Sequence, residues 1–304
     1  MDRHAVGRWN PVEEEWTIQV PGREGVMAQA DLGDARHSTQ SCPFCPGSVE
    51  APQHYETLLM PSRFPVVRRD ADADQHMAYG LHDVFLYTSD HLGRLVDQPV
   101  SRLAVLLRQI AECTDSMLAD PLVQAVFGFE ARGDHFGPTV AHPHGQLIAF
   151  PFVPRRLTVS EADCRFCPPP RGEAEELLVH RGSLTSVAVP PSARLPFEMV
   201  LVPDRHVPTL SGLNFAEVDD LATSLSAALR ACLSDDGVMP QYLLTIMQAP
   251  KGHQSRHHLR IELLPLHRPH GGIKRSGGVE VGAGVYLNLL LPRKAARMLR
   301  ERLS

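Results

Sequence analysis

No run of eighteen apolar residues occurs anywhere in the 304-residue chain, and its opening, MDRHAVGRWNPVEEEW, has no apolar signal region. The first absence argues against a transmembrane helix and the second against export, so a cytoplasmic protein without a membrane partner is expected. An excess of basic charge is missing too. The chain carries 30 Lys+Arg against 35 Asp+Glu, a formal net charge of -5, which offers nucleic acid no attractive surface. Apolar material is plentiful: 43% of the residues, in a chain long enough for two ordinary domains or one large one.

Six cysteines are present, and in a reducing compartment disulfides are disfavoured. Cys113 and Cys232 fall in apolar stretches of helical spacing and read as small core residues. The other four form two C-x-x-C pairs, Cys42/Cys45 and Cys164/Cys167.

Each pair opens a similar series. In the first half EEWTIQV reads as a strand before the first pair. DVFLYTSDH then reads as a strand ending at His91, 101–118 as an amphipathic helix, and 124–131 as a strand. A glycine-bearing turn leads to AHPHGQLIAFP. In the second half LTSVAV and PFEMVLVPDRH read as strands, the latter ending at His206. An amphipathic helix follows from 214, then the strand QYLLTIMQAP and the closing RHHLRIELLP. The spacing is 51 residues from His91 to His142 and 52 from His206 to His258; the cysteine pairs precede the first histidine by 46 and 39. The repeated order suggests a duplicated unit.

A cytosolic C-x-x-C is either a redox pair or a metal knuckle. A redox pair normally opens a helix, whose N-terminus lowers a thiol pKa. Here Pro43 and Pro46-Gly47 interrupt the segment and no helical pattern follows, which favours metal. Two thiolates need two further ligands to close a tetrahedron around zinc, and histidines are the usual partners. His91 and His142 fit the first set. Cys164, Cys167 and His206 form the second, with either His258 or its neighbour His257 as the fourth. A strand alternates faces, so only one of the two can point at the metal, and counting back from Pro151 and Pro265 gives His258 the phase of His142 and His144. Two closed, structural zinc ions per chain are expected.

His142-Pro143-His144-Gly145-Gln146 is the most informative segment. Histidines two apart on a strand share a face, so one can ligate zinc while the other meets substrate. Gln146 lies on that face, with an amide able to donate to a phosphate oxygen. Gly133 and Gly137 lie in the preceding turn, where backbone must approach a ligand closely.

This segment, with the knuckle Cys-Pro-Phe-Cys-Pro-Gly, resembles the galactose-1-phosphate uridylyltransferase family, a branch of the histidine-triad superfamily. NPVEEEWTIQVPGR and PFEMVLVPDRHVPTL look like further family segments, so the resemblance covers most of the chain. The tail GVEVGAGVYLNLLLP, 278–292, is similar to that of the ADP-glucose phosphorylase-like branch, which also carries the second C-x-x-C. The uridylyltransferases proper tend to bind iron through an H-x-H near the end of the second half; those places read Arg260 and Glu262 here.

The resemblance implies an α+β fold of two histidine-triad-like halves, 1–155 and 156–304, each an antiparallel sheet with packed helices, related by internal duplication. It implies His144 as nucleophile toward the α-phosphate of a nucleotide sugar, with Gln146 beside it, and ping-pong transfer of the nucleotide to phosphate or a sugar 1-phosphate. Arg23 matches a family arginine near the phosphates, and Thr139 replaces a family serine that touches phosphate; with Gly137 of the turn, and Glu280, Tyr286 and Asn288 of the phosphorylase-like tail, they are the expected substrate contacts. Val26 and Ala131 stand where uridylyltransferases carry an arginine and an asparagine, departures that fall around the acceptor and the base. A homodimer whose subunits complete one another's sites is implied. Two other functions compete. A hydrolase would let water resolve the intermediate, but the superfamily's small hydrolases carry a histidine where Gln146 stands. A non-catalytic zinc scaffold would leave His144 dispensable.

Overall fold

The computed structural model describes residues 6–20, 39, 41–70, 78–133, 135, 140–158, 164, 166–167, 172–233, 237, 239–269, 272–275 and 277–304. An N-terminal hairpin pairs β1 (Val6–Asn10) with β2 (Glu15–Gln19). Nine further strands follow in chain order: β3 (Leu58–Pro61), β4 (Leu81–Leu86), β5 (Ala125–Arg132), β6 (His144–Phe150), β7 (Leu178–Arg181), β8 (Thr185–Ala188), β9 (Met199–Pro203), β10 (Tyr242–Met247) and β11 (Arg260–Pro265). The helices are α1 (Val100–Leu118), α2 (Phe215–Cys232), α3 (Gly278–Ala283) and α4 (Pro292–Glu301).

The α+β class holds. The strands of both halves share one antiparallel nine-stranded sheet, ordered β3-β4-β6-β5-β10-β11-β9-β8-β7. The halves meet where β5 pairs with β10, Phe129 opposite Thr245. Outward from that seam the order β5-β6-β4-β3 mirrors β10-β11-β9-β8, with β7 an extra edge strand. The 155/156 division falls in the 3-10 turn Arg155–Leu157.

Leu103, Leu106, Leu107, Ile110 and Met117 of α1, spaced at three and four residues, are buried together with Leu147 of β6 and Leu244 and Ile246 of β10. Helix α2 starts with a capping box: Asn214 accepts from the Glu217 amide at 3.0 Å and Glu217 accepts from the Asn214 amide at 2.9 Å. The two helices pack on each other over one sheet face. Glu130, buried across the seam, accepts from Tyr242 at 2.8 Å and from Tyr87, so one carboxylate joins both halves; burial raises its pKa. Cys232 is buried in this core, and Cys113, half-buried, donates its thiol to Asp83 at 3.3 Å. No helix among the described residues is long and apolar enough to cross a membrane.

Candidate active site and metal centres

Strand β4 ends at Leu86, and the chain then turns through Thr88 to bring His91 back beneath the knuckle. Cys45 Sγ lies 3.4 Å from His91 Nδ1 and 3.6 Å from His142 Nδ1, and Cys42 Sγ lies 3.7 Å from His142 Nδ1. The four ligand atoms all fall within 4.8 Å of one another. Tetrahedral zinc with ordinary bond lengths places a sulfur and a nitrogen ligand about 3.6 Å apart, so the donor set and its spacing fit. His142 is buried, and its Nε2–H donates to the Thr88 carbonyl at 2.9 Å, which fixes the tautomer that leaves Nδ1 free for a metal. The Tyr55 hydroxyl lies 3.0 Å from that nitrogen and donates to the Phe44 carbonyl at 2.6 Å. Burial and the neighbouring Cys42 thiol push Cys45 up to about 11. Two crowded thiols become thiolates only when a cation offsets them.

The second group repeats the arrangement. Cys164 Sγ is 3.4 Å from His258 Nδ1; Cys167 Sγ is 3.3 Å from the same nitrogen and 3.5 Å from His206 Nδ1. His258 Nε2–H donates to the Pro203 carbonyl at 2.9 Å. His257 is buried apart from this group, and burial lowers its pKa to about 4. The two histidines, just ahead of β11, therefore part, with His258 on the metal side.

His144 opens β6. Its Nδ1–H donates to the His142 carbonyl at 2.8 Å, so Nε2 keeps its lone pair. Burial lowers its pKa, the backbone bond opposing, and the imidazole is neutral near pH 7. The Phe44 ring meets both His142 and His144 edge-on, which ties the knuckle to His144. Gly145 has a steric reason: a Cβ there would overlap the Phe85 ring and crowd the Phe129 carbonyl oxygen. Gly133 turns the chain after β5 with φ +98°, in the left-handed region that favours glycine. Gln146 sits two residues beyond His144 on the same face, its Oε1 2.8 Å from His82 Nε2. His82, Tyr55 and Thr88 escaped the sequence reading, because a lone polar residue in a strand or loop carries no spacing signal.

The remaining expected contacts divide. Arg23, Gly137 and Thr139, with Val26, lie outside the described residues. Glu280 pairs with Lys274 at 2.6 Å and accepts from the amides of Gly277 and Leu287 at 2.6 and 3.1 Å. Asn288 donates to the carbonyls of Ala193 and Leu195 at 2.9 and 3.0 Å. Both thus anchor the tail to their own chain, whereas Tyr286 is exposed with Arg194 over its ring. Lys274 holds Glu280 down to about 2. A depressed carboxylate adds stability that is present above its unfolded pKa of about 4.3 and is lost as pH falls toward the folded value. Glu280→Gln is therefore expected to lower Tm at pH 6, with the gap to wild type closing between about pH 4.3 and 2. A pH-independent gap in paired thermal melts would contradict this.

Where His144 and Gln146 stand on β6, β11 carries Arg260 and Glu262. Glu262 accepts from Arg156, Arg260 and Arg194 at 2.5, 3.0 and 3.3 Å, an ion-pair network with no nucleophile.

No family model matches the chain. The chain is 29% identical to galactose-1-phosphate uridylyltransferase of Thermotoga maritima, over 97% of each protein. It is 22% identical to ADP-glucose phosphorylase of Arabidopsis thaliana, over 97% of this chain and 92% of that one. A solved structure of a uridylyltransferase superposes with TM-score 0.84 at 25% identity, covering 99% of this chain and 98% of the other. The Arabidopsis ADP-glucose phosphorylase, solved with bound ADP-glucose, shares the fold at TM-score 0.73, 22% identity and 98% coverage of both chains. The tail predicts greater similarity to the phosphorylase, whereas whole-chain identity is higher to the Thermotoga enzyme. Sequence and fold together make this chain a homologue of the galactose-1-phosphate uridylyltransferases and of ADP-glucose phosphorylase.

Proposed function

We propose that the chain is a nucleotidyltransferase that moves a nucleoside monophosphate from a nucleotide sugar to phosphate or a sugar 1-phosphate by way of a nucleotidyl-His144. The observation that carries this reading is the 2.8 Å bond from His144 Nδ1–H to the His142 carbonyl, which leaves a bare Nε2 lone pair on the side chain that shares a strand face with Gln146. That lone pair attacks the α-phosphorus and forms an N–P bond. The P–O bond to the leaving sugar 1-phosphate breaks, and the bonding pair leaves with it. An acceptor phosphate oxygen then attacks the same phosphorus, and the N–P pair returns to Nε2. The Gln146 amide donates to a phosphoryl oxygen as charge shifts. Zinc, held by Cys42, Cys45, His91 and His142 and by Cys164, Cys167, His206 and His258, would act structurally, fixing the strand that carries His144.

UDP-glucose and ADP-glucose, each paired with phosphate and with galactose 1-phosphate, test the reading. One donor is expected to add the mass of a uridylyl or adenylyl group to the peptide bearing His144, and its acceptor to discharge it. No adduct with either donor, or an adduct on another residue, would overturn it. Water resolving the intermediate is disfavoured because Gln146 cannot act as a general acid or base.

The tail supports a homodimer. Val281, Leu289 and Leu291 are 78, 74 and 76% exposed, and Val285, Tyr286 and Leu287 lie exposed between them. Several large apolar side chains exposed along one segment suit an interaction site. A dimer is expected by light scattering, and Leu289→Asp is expected to weaken it by about 2 kcal/mol, roughly thirtyfold in Kd. A monomeric wild type would count against it.

A further inference from the structure

We infer that His82 is a positioning residue for nucleotidyl transfer, holding the Gln146 side chain so that its amide NH2 faces the transferred phosphoryl group. The inference rests on the transfer reading above. His82 lies on β4 opposite Ile148, and Val84, two residues on, lies opposite Gln146. His82 and Gln146 are thus diagonal cross-strand neighbours on one face, within reach of long side chains.

The bonding order dictates the orientation. The Val66 amide donates to His82 Nδ1 at 3.2 Å, so Nδ1 is an acceptor and a neutral His82 carries its hydrogen on Nε2. That Nε2–H can donate only to an acceptor, and the Gln146 atom 2.8 Å away is therefore its carbonyl oxygen. With the oxygen taken, the two amide hydrogens of Gln146 point away from His82. Without this bond the amide could rotate and present its carbonyl oxygen to the phosphate, where like charge repels. His82 is buried, 6% exposed, so little solvent competes for this bond. The chain Val66 N–H, His82, Gln146 parallels the bond from His144 to the His142 carbonyl: one sets the donor, the other the nucleophile.

A mutant cycle tests this. Single-turnover formation of nucleotidyl-His144 from UDP-glucose and from ADP-glucose is measured for wild type, His82→Phe, His82→Asn, Gln146→Ala and the pair His82→Phe/Gln146→Ala, with Tm for each. Phenylalanine fills the space without donating; asparagine can donate. His82→Phe is expected to slow adduct formation about a hundredfold, the scale of a misplaced catalytic group. KM is expected to stay within about threefold of wild type, since the lost interaction acts in the transition state. The double variant is expected to match Gln146→Ala within about twofold, and His82→Asn to recover about tenfold over His82→Phe. A His82→Phe rate equal to wild type, or effects that multiply in the double variant, would overturn the proposal. If His82→Phe does not fold, His82→Ala takes its place in the same cycle. If wild type forms no adduct with either donor, the transfer reading fails by itself. The bond is then judged by the side-chain amide signals of Gln146 in 15N-labelled protein, expected to move on His82 replacement and overturning the proposal if they do not.

Discussion

His144→Ala is expected to lower transfer at least about 10^4-fold and to abolish the nucleotide adduct, while the fold survives. The size follows from what the side chain supplies. Covalent transfer needs a neutral nitrogen with a free lone pair in line with phosphorus, and His144 offers one because its other nitrogen is tied to the His142 carbonyl. Gln146, the neighbour on the same face, has no nucleophilic atom, and His142 Nε2 is directed at the Thr88 carbonyl. No other described histidine opens that strand. Structurally the change is mild. His144 is half-buried, and the hydrogen bond it loses is worth about 1 kcal/mol. Its hydrogen bond runs to backbone, so no buried side chain is left unpaired. Peptide mass spectrometry after incubation with nucleotide sugar, beside circular dichroism, separates the two effects. A variant that keeps transfer within tenfold of wild type would remove His144 from the chemistry.

Much of this site was legible in the sequence because its grammar is short-range. Cys42-Pro-Phe-Cys45 places two sulfurs together by chain geometry alone, and the near-equal intervals to His142 and His258 reported that two such knuckles are completed alike. Strand alternation chose His258 over His257, and the structure brings His258 Nδ1 within 3.4 Å of both second-half sulfurs. Other features depend on partners that periodicity does not mark. The β5–β10 seam joins strands whose patterns are also compatible with separate sheets. His82 meets Gln146 across 64 residues, and nothing around His82 announces it. Glu280 lies in the tail that resembles the phosphorylase branch, yet its carboxylate answers Lys274 six residues away, a spacing that belongs to neither helix nor strand. At Arg260 and Glu262 the sequence reading could say which ligands were missing. That Arg156 and Arg194 converge on the same carboxylate required the fold.

Removing the first metal centre is expected to cost more than any other single change. Purified protein is expected to carry close to two zinc ions per chain, and Cys42→Ser to lose the first zinc and fail to fold at 25 °C. Structural zinc brings about 10–16 kcal/mol of metal-linked folding free energy, as much as the whole stability of a typical domain. In this chain the knuckle also organises a small core of its own. Cys42, Phe44, Ala51, Tyr55, Val84 and Leu86 are buried together, and without the metal the segment carrying Phe44 has little else to hold it. The two centres are not equivalent in consequence. His142 stands two residues before His144 and supplies the carbonyl that sets its tautomer, so the first centre bears on both stability and chemistry. The second is completed by His258, two residues before Arg260, where there is no nucleophile to aim. Its cysteines are also only half-buried, whereas Cys42 is buried. Cys164→Ser is therefore expected to lose one zinc and some thermal stability yet still form the His144 adduct. Elemental analysis, thermal melts and adduct mass on the same preparations decide the matter. A Cys42→Ser protein that keeps two zinc ions and melts with wild type would overturn the first centre, and a Cys164→Ser protein unable to form the adduct while folded would overturn the division of labour between the two.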